Sequence, residues 1–435
     1  MKTRFAEEEW TMSVCIQTIP LKERILPALP LTAVYSDEES ARRRSFRTAA
    51  GLCALFGGGP CRLFCAPGRT ELGGNHTDHN RGLALAAAVD ADILAAVRPT
   101  DRPVIRLHSE GYYTDAIDLD DLSPREAEAS HSASLIRGIA SGFRRRGLSI
   151  GGFDAYTTSE VPRGAGVSSS AAFEITVTEI LNGLYNEGRI EPALLARIAQ
   201  EAENDYFGKP CGRMDQTASV FGGCVALDFE NPDEPSVRRL PADFERWGVR
   251  LCIVNTGGSH TDLTQDYAAC RLEMEEIARL LGGEVLRDIP REQFEAALPS
   301  LRRRAGDRAV LRALHFYEEN DRVKQQCGAL EAGDAAAFLR LVAASGRSSQ
   351  ALLQNVSSPL MHRDQGVALA LALTGDLLGD EGAWRVHGGG FAGTIQAYVP
   401  EERLTSYRRR MEQVFGDGCC HVLSLRDAGG TELTV

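Results

Sequence analysis

Apolar positions recur along the chain with two periods, and the switches between them predict its elements. Alternating or continuous apolar runs at 61–66, 83–97 and 104–108 read as strands, and 152–159 alternates as another. Between these, 132–146 carries Leu135, Ile136, Ile139 and Phe143 on one helical face. The strongest helical stripe is Phe173, Val177, Ile180, Leu181 and Leu184, within a helix expected over 168–185. A further helix is expected over 194–206 and a strand over 220–229. The first sixty residues read as irregular segments and short helices, ending at Gly57-Gly58-Gly59-Pro60.

The segment 230–246 is polar and holds Pro232, Pro235 and Pro241, which predicts a boundary between domains at 1–240 and 241–435. Beyond it come a strand at 251–255, an amphipathic helix at 263–281 and several Ala/Leu-rich helices over 291–378. Strands at 394–399 and 422–425 flank a helix near 401–414. Strands and helices mixed without regular βαβ alternation predict an α+β fold.

Composition narrows the class. With 435 residues, 43% hydrophobic and 25% charged, the chain has the balance of a globular protein and is no wholly disordered one. Its net charge of −12 argues against nucleic acid or an anionic membrane as partner. The longest apolar stretch, 82–97, carries Asp90 and Asp92 and is too short to span a bilayer. The polar, acidic start shows no secretory signal, and eleven scattered Cys read as reduced thiols, so a cytoplasmic location is expected. None of Lys2, Lys22, Lys209 and Lys324 follows the spacing of a Walker-type phosphate loop.

Four segments carry candidate chemistry. Gly164-Ala165-Gly166-Val167-Ser168-Ser169-Ser170 opens the strongest helix. Its glycines let backbone approach an anion, and a helix start presents unpaired N–H groups and a positive dipole end, so phosphate can be bound without lysine. Serine hydroxyls add hydrogen bonds or ligate Mg²⁺. The bland alternative is a loop with a serine cap.

Residues 67–80 crowd Arg69, Glu71, Asn75, His76, Asp78 and His79 among glycines, which suits a polyol whose hydroxyls both donate and accept. A metal site at His76, Asp78 and His79 matches no zinc spacing, and a polar turn is the plain alternative. In the segment 203–216, Glu203 and Asp215 are two carboxylates placed for separate tasks, one for Mg²⁺ and one beside an attacking hydroxyl, or simply solvated acids. The run His387 to Gly393 satisfies G-x-G-x-x-G but lacks a βαβ unit, so it reads as glycines packed against a neighbouring loop or ligand.

These segments, in this order from about Leu55 onward, resemble the GHMP sugar and isoprenoid kinases, and within them the galactokinases. The resemblance implies a two-domain fold with the active site between the domains. It implies an ATP- and Mg²⁺-dependent transfer to the anomeric hydroxyl of a monosaccharide, galactose first. By the same resemblance, Asp215 and Arg69 would flank the reacting oxygen, Gly164 to Ser170 would wrap the ATP phosphates, and Ser170 and Glu203 would hold Mg²⁺. His76, Asp78, Gly212 and Tyr267 would contact the sugar, with Glu71 and Asn75 beside them.

This chain departs from the family's pattern at two of those positions. Galactokinases usually carry Asn where it has Glu71 and Glu where it has Asn75. If 71 and 75 share a helical turn, the carboxylate has changed places with the amide while serving the same hydroxyl. Otherwise another hexose or sugar derivative is implied. A galactokinase-like sensor without turnover is the remaining alternative, though Ser168 to Ser170, Asp215 and Arg69 retain every charge-handling part.

Overall fold

The computed structural model describes residues 28–162, 164–258 and 263–434. Its strands are β1 (Leu29–Pro30), β2 (Arg62–Gly73), β3 (Leu83–Pro99), β4 (Val104–Ser109), β5 (Thr114–Asp118), β6 (Phe153–Ser159), β7 (Cys224–Asp228), β8 (Ser236–Leu240), β9 (Val249–Asn255), β10 (Ala383–His387), β11 (Thr394–Pro400), β12 (Cys420–Leu423) and β13 (Thr431–Thr434). The longer helices are α1 (Glu38–Phe56), α2 (Ser132–Arg145), α3 (Ser169–Tyr185), α4 (Pro192–Ala202), α5 (Met214–Phe221), α6 (Thr264–Leu280), α7 (Arg291–Ala305), α8 (Asp307–Ala332), α9 (Ala335–Ser348), α10 (Gly366–Leu378) and α11 (Leu404–Phe415).

Two sheets organise these elements into the expected α+β architecture. The larger runs β1-β13-β2-β3-β6-β4-β5, with β7 and β8 branching from the first half of β3. The smaller is the antiparallel β10-β11-β9-β12. Strand β3 is buried along nearly its whole length, which explains its unbroken Ala/Leu/Val composition. Helices α2, α3 and α4 cover one face of the large sheet through Ile136, Ile139, Ile175, Leu181 and Ile198. A second core joins the sheets: Leu72, Leu85 and Val89 pack with Leu251, Ile253 and Tyr398. Val161, Ala165 and Val167 of the glycine–serine loop sit inside that core, so the loop is anchored where the sheets meet. No described helix is long and apolar enough to cross a membrane.

Four sequence expectations needed correction. The part of the expected irregular start over 1–27 lies outside the described residues, and over 38–56 the long helix α1 stands where irregular segments and short helices were expected. Its buried face includes Arg44, Ser45 and Thr48, so no apolar stripe marks it. Its N-terminal signal was nonetheless present, since Asp37 caps the Ser40 N–H at 3.0 Å. Strand β2 does not stop at Ala66 but runs to Gly73, with register shifts between Pro67 and Arg69 and between Glu71 and Gly73. Residues 220 and 221 end α5, and strand β7 begins only at Cys224. The helix expected over 194–206 ends at Ala202 and widens into a π-helical turn, Glu203–Phe207.

Candidate active site

The first bulge in β2 follows from Pro67, which has no N–H to donate, and from Gly68. A Cβ at Gly68 would lie 2.7 Å from the Val167 carbonyl, so only glycine lets the loop pass this close. The Arg69 N–H then donates to that carbonyl at 3.0 Å. Strand and loop are joined at the residue whose guanidinium enters the site.

Arg69 donates from Nε to Asp215 Oδ1 at 2.7 Å and from Nη2 to Oδ2 at 2.6 Å. Its Nη1 donates to the Gly166 carbonyl at 2.6 Å. The pair is bidentate, the geometry that makes Arg differ from Lys. Asp215 stands in the first turn of α5 and also accepts from the Ser168 hydroxyl at 2.5 Å. Burial alone would raise its carboxyl pKa. The Arg69 charge, with hydrogen bonds from Arg69 and Ser168, overcomes this and holds it below the usual carboxylate range. A carboxylate is therefore ready-ionised beside a fixed guanidinium.

The loop has the backbone its glycines allow. Gly164 and Gly166 both have φ of 70°, and Ser168 has φ of 53°. A Cβ on Gly166 would come within 2.9 Å of Thr394 Oγ1, so β11 walls the loop on its far side. Helix α3 starts immediately after, and its first N–H groups lack intrahelical partners.

Ser170, in the first turn of α3, donates to Glu203 Oε1 at 3.2 Å. Glu203 is buried in the π-helical turn. Its other oxygen accepts from Gln216 Nε2 at 2.8 Å and from the Cys211 thiol at 3.0 Å. Lys209 Nζ lies 2.8 Å from Oε1. A hydroxyl and a carboxylate oxygen this close are hard oxygen donors of the kind Mg²⁺ takes, with phosphate and water completing the shell. Among the described residues no group of three or more His, Cys, Asp and Glu side chains gathers as a metal cage.

The remaining polar segment folds over the glycines late in the chain. His76 Nε2 is hydrogen-bonded to the Gly389 carbonyl at 3.0 Å, and the Tyr267 hydroxyl donates to the Gly390 carbonyl at 2.8 Å. A Cβ on Gly389 would overlap the Tyr267 ring, and one on Gly390 would overlap Asn355. The 388–390 glycines are thus packed against a neighbouring loop, lending it their carbonyls. Burial lowers the His76 pKa and raises that of Asp78. Gly212 faces Asp78, and a Cβ there would overlap Asp78 Oδ2.

Glu71 and Asn75 sit deeper than the rest. They do not share a helical turn, because Glu71 lies in β2, which runs to Gly73, and Asn75 opens the turn that follows. They touch all the same: Asn75 Nδ2 donates to Glu71 Oε1 at 3.2 Å. The same nitrogen donates to the Gly388 carbonyl at 2.6 Å, and Asn75 Oδ1 accepts from Asn355 at 2.8 Å and Ser349 at 3.3 Å. Glu71 forms an ion pair with Arg385 of β10. Both side chains therefore tie the polar segment to residues of the second half. Nothing in the local sequence marked Arg385, Asn355 or Ser349. Gln216, Cys211 and Lys209 lay in a quoted motif, yet only the fold places them on Glu203.

Comparison with known proteins is consistent with this geometry. Residues 53–99 match the galactokinase galactose-binding signature, and residues 134–223 match the GHMP kinases N terminal domain. A galactokinase of Streptomyces coelicolor is 34% identical over 365 residues, covering 83% of this chain and 90% of the relative. The crystal structure of Lactococcus lactis galactokinase complexed with galactose superposes with a TM-score of 0.75 at 24% identity, over 88% of this chain and 98% of that one. The Methanococcus jannaschii mevalonate kinase structure matches at a TM-score of 0.59 and 16% identity, covering 84% and 99%. The likeness to these two structures is one of fold.

Proposed function

The chain belongs to the galactokinase family of GHMP kinases, and on that premise we propose that it transfers the γ-phosphoryl group of ATP to the anomeric hydroxyl of galactose, giving galactose 1-phosphate and ADP. The observation that carries the reading is the Arg69–Asp215 pair, which is hydrogen-bonded directly to the glycine–serine loop through the Gly166 carbonyl and the Ser168 hydroxyl. Charged residues fit for a reacting hydroxyl are thereby fixed against a cradle fit for phosphate.

Phosphoryl transfer passes through a loose transition state, so positioning and charge stabilisation supply most of the catalysis. In this reading the sugar oxygen lies beside the Arg69–Asp215 pair, within reach of both side chains. Asp215, kept ionised by Arg69, accepts the hydroxyl proton as the O–P bond forms and ADP departs. Arg69 meets the charge developing on the oxygen and the phosphoryl group. The 164–170 loop and the start of α3 hold the phosphates with N–H groups and hydroxyls. Ser170 and Glu203 are the residues that would hold Mg²⁺, which when bound neutralises phosphate charge. His76, Asp78, Gly212 and Tyr267 shape the sugar pocket. The site lies between halves spanning 1–240 and 241–435, except that the last strand, β13, crosses back to join the large sheet beside β2. Sugar and ATP are the partners, with no nucleic acid or membrane, and the location is cytoplasmic.

A second reading keeps the chemistry and changes the sugar. It is favoured by Asn75, whose amide is filled by protein partners on both its oxygen and its nitrogen. ADP release measured across a panel of monosaccharides tests both. Galactose as the best substrate supports the first reading, and another sugar turned over more efficiently supports the second. No turnover with any sugar would leave a sensor.

A further inference from the structure

The Glu203 carboxylate is already crowded. Gln216 and Cys211 fill Oε2, so Oε1 is the oxygen left to face the loop. That oxygen meets Ser170 Oγ at 3.2 Å and Lys209 Nζ at 2.8 Å. An ammonium therefore stands on the one carboxylate oxygen that a cation between Ser170 and Glu203 would need. A divalent cation within a few ångströms of an ammonium is repelled strongly, even with partial solvent screening.

Lys209 is built to leave. Its backbone is pinned, with its N–H donating to the Glu203 carbonyl at 3.1 Å and Pro210 following. Its side chain is 58% exposed, so the head moves with little loss of packing. Among the described residues it is the lysine that reaches Glu203, beside a phosphate cradle that otherwise uses N–H groups and hydroxyls.

We propose that Lys209 holds the cation's seat on Glu203 in the free protein and passes to a phosphate oxygen of the nucleotide when a divalent cation takes that seat. The inference rests on the kinase reading and adds a residue to it. Lys209 is then a positioning residue that exchanges one anion for another, so the buried carboxylate is never left without a counter-charge. A fixed salt bridge that merely orients Glu203 makes the opposite prediction, because its loss would loosen the metal's ligand.

The test uses Lys209→Met and Lys209→Arg in the full chain, each checked for native circular dichroism and melting. Mn²⁺ binding to nucleotide-free protein, read by electron paramagnetic resonance of the free ion, is expected to tighten about tenfold in Lys209→Met and to stay near native in Lys209→Arg. Unchanged or weaker Mn²⁺ binding in Lys209→Met overturns the proposal. Binding of a fluorescent non-hydrolysable ATP analogue at saturating Mg²⁺ is expected to weaken about fivefold in Lys209→Met and to be restored in Lys209→Arg. Undiminished binding there overturns it as well. Neither readout needs turnover. A native protein inert on every sugar sinks the kinase reading, whereas an active one whose Lys209→Met variant matches it in both titrations sinks only the role of Lys209.

Discussion

The carboxylate of Glu71 meets the guanidinium of Arg385 inside the protein, where both side chains are buried. The contact ties the end of β2 to β10, and the Asn75 amide rests on the same carboxylate. Burial pushes the Glu71 carboxyl pKa up, while the charges of Arg385 and Arg69 pull it down. Arg385 Nε and Nη1 find no partner among the described residues, so the arginine depends heavily on this one anion.

Removing that anion is expected to be costly. Glu71→Gln should lower unfolding free energy by about 3 kcal/mol, because a buried guanidinium is left uncompensated. Glu71→Leu combined with Arg385→Leu should lose less than Glu71→Gln alone. Urea unfolding of the two variants checks this, and a double variant that fares worse than Glu71→Gln would show the pair to be net stabilising.

Asp215→Asn keeps the shape of the side chain and removes its charge and basicity. It should lower kcat at least about 100-fold while leaving the melting temperature within a few degrees. Arg69→Lys should also be severely impaired, since an ammonium cannot span both carboxylate oxygens and the Gly166 carbonyl. A kcat near native in either variant would refute the assigned role.

Gly212→Ala separates the sugar pocket from the nucleotide cradle. The added methyl would overlap Asp78 Oδ2 and must push that carboxylate aside. The sugar KM should rise about tenfold, with the KM for ATP within about twofold of native. Gly166→Ala should show the reverse bias, because φ of 70° and Thr394 Oγ1 at 2.9 Å oppose the methyl in the phosphate loop. Steady-state kinetics with each substrate varied in turn distinguishes the two.

Acid should destabilise the protein early. His315 is buried, hydrogen-bonded to the Asn75 carbonyl and Ser348, and burial lowers its pKa from 6.5 to about 4. His76, His79 and His387 are lowered by burial too. Between pH 6.5 and about 4 His315 binds more protons in the unfolded chain than in the folded one, so its contribution to stability falls as pH falls through that window. His315 alone accounts for about 3 kcal/mol across it. The urea midpoint should drop between pH 7.5 and 5, and His315→Gln, less stable at pH 7.5, should drop less. A midpoint of the native protein flat over that range would contradict the account.

Legibility in the sequence followed distance along the chain. Elements with a clear period, such as α2, α3, β3 and β6, were readable to within a residue or two. Helix α1 was not, because its inner face is polar and Arg44 reaches Asp92 and Thr158, residues far along the chain. The end of β2 was hidden because Pro67, Gly68 and Arg69 look like a turn until the bulges that accommodate them are known.

The site divides the same way. The glycine–serine loop, the Arg69 to Asn80 segment and the Glu203 to Gln216 segment were visible as chemistry, since each is written in consecutive residues. The contacts between them were not. Arg69 meets Asp215 across 146 positions and Arg385 meets Glu71 across 314. By itself, then, the sequence determined the backbone freedom of the loop, the helix that follows it and the supply of charged side chains, because these depend on neighbours within a turn or a strand. The tertiary structure alone decided which charges compensate one another, that Asn75 is braced by Asn355 and Gly388, and that Lys209 stands on Glu203. Such pairings are set by how two sheets close on a shared core, and no local period records that.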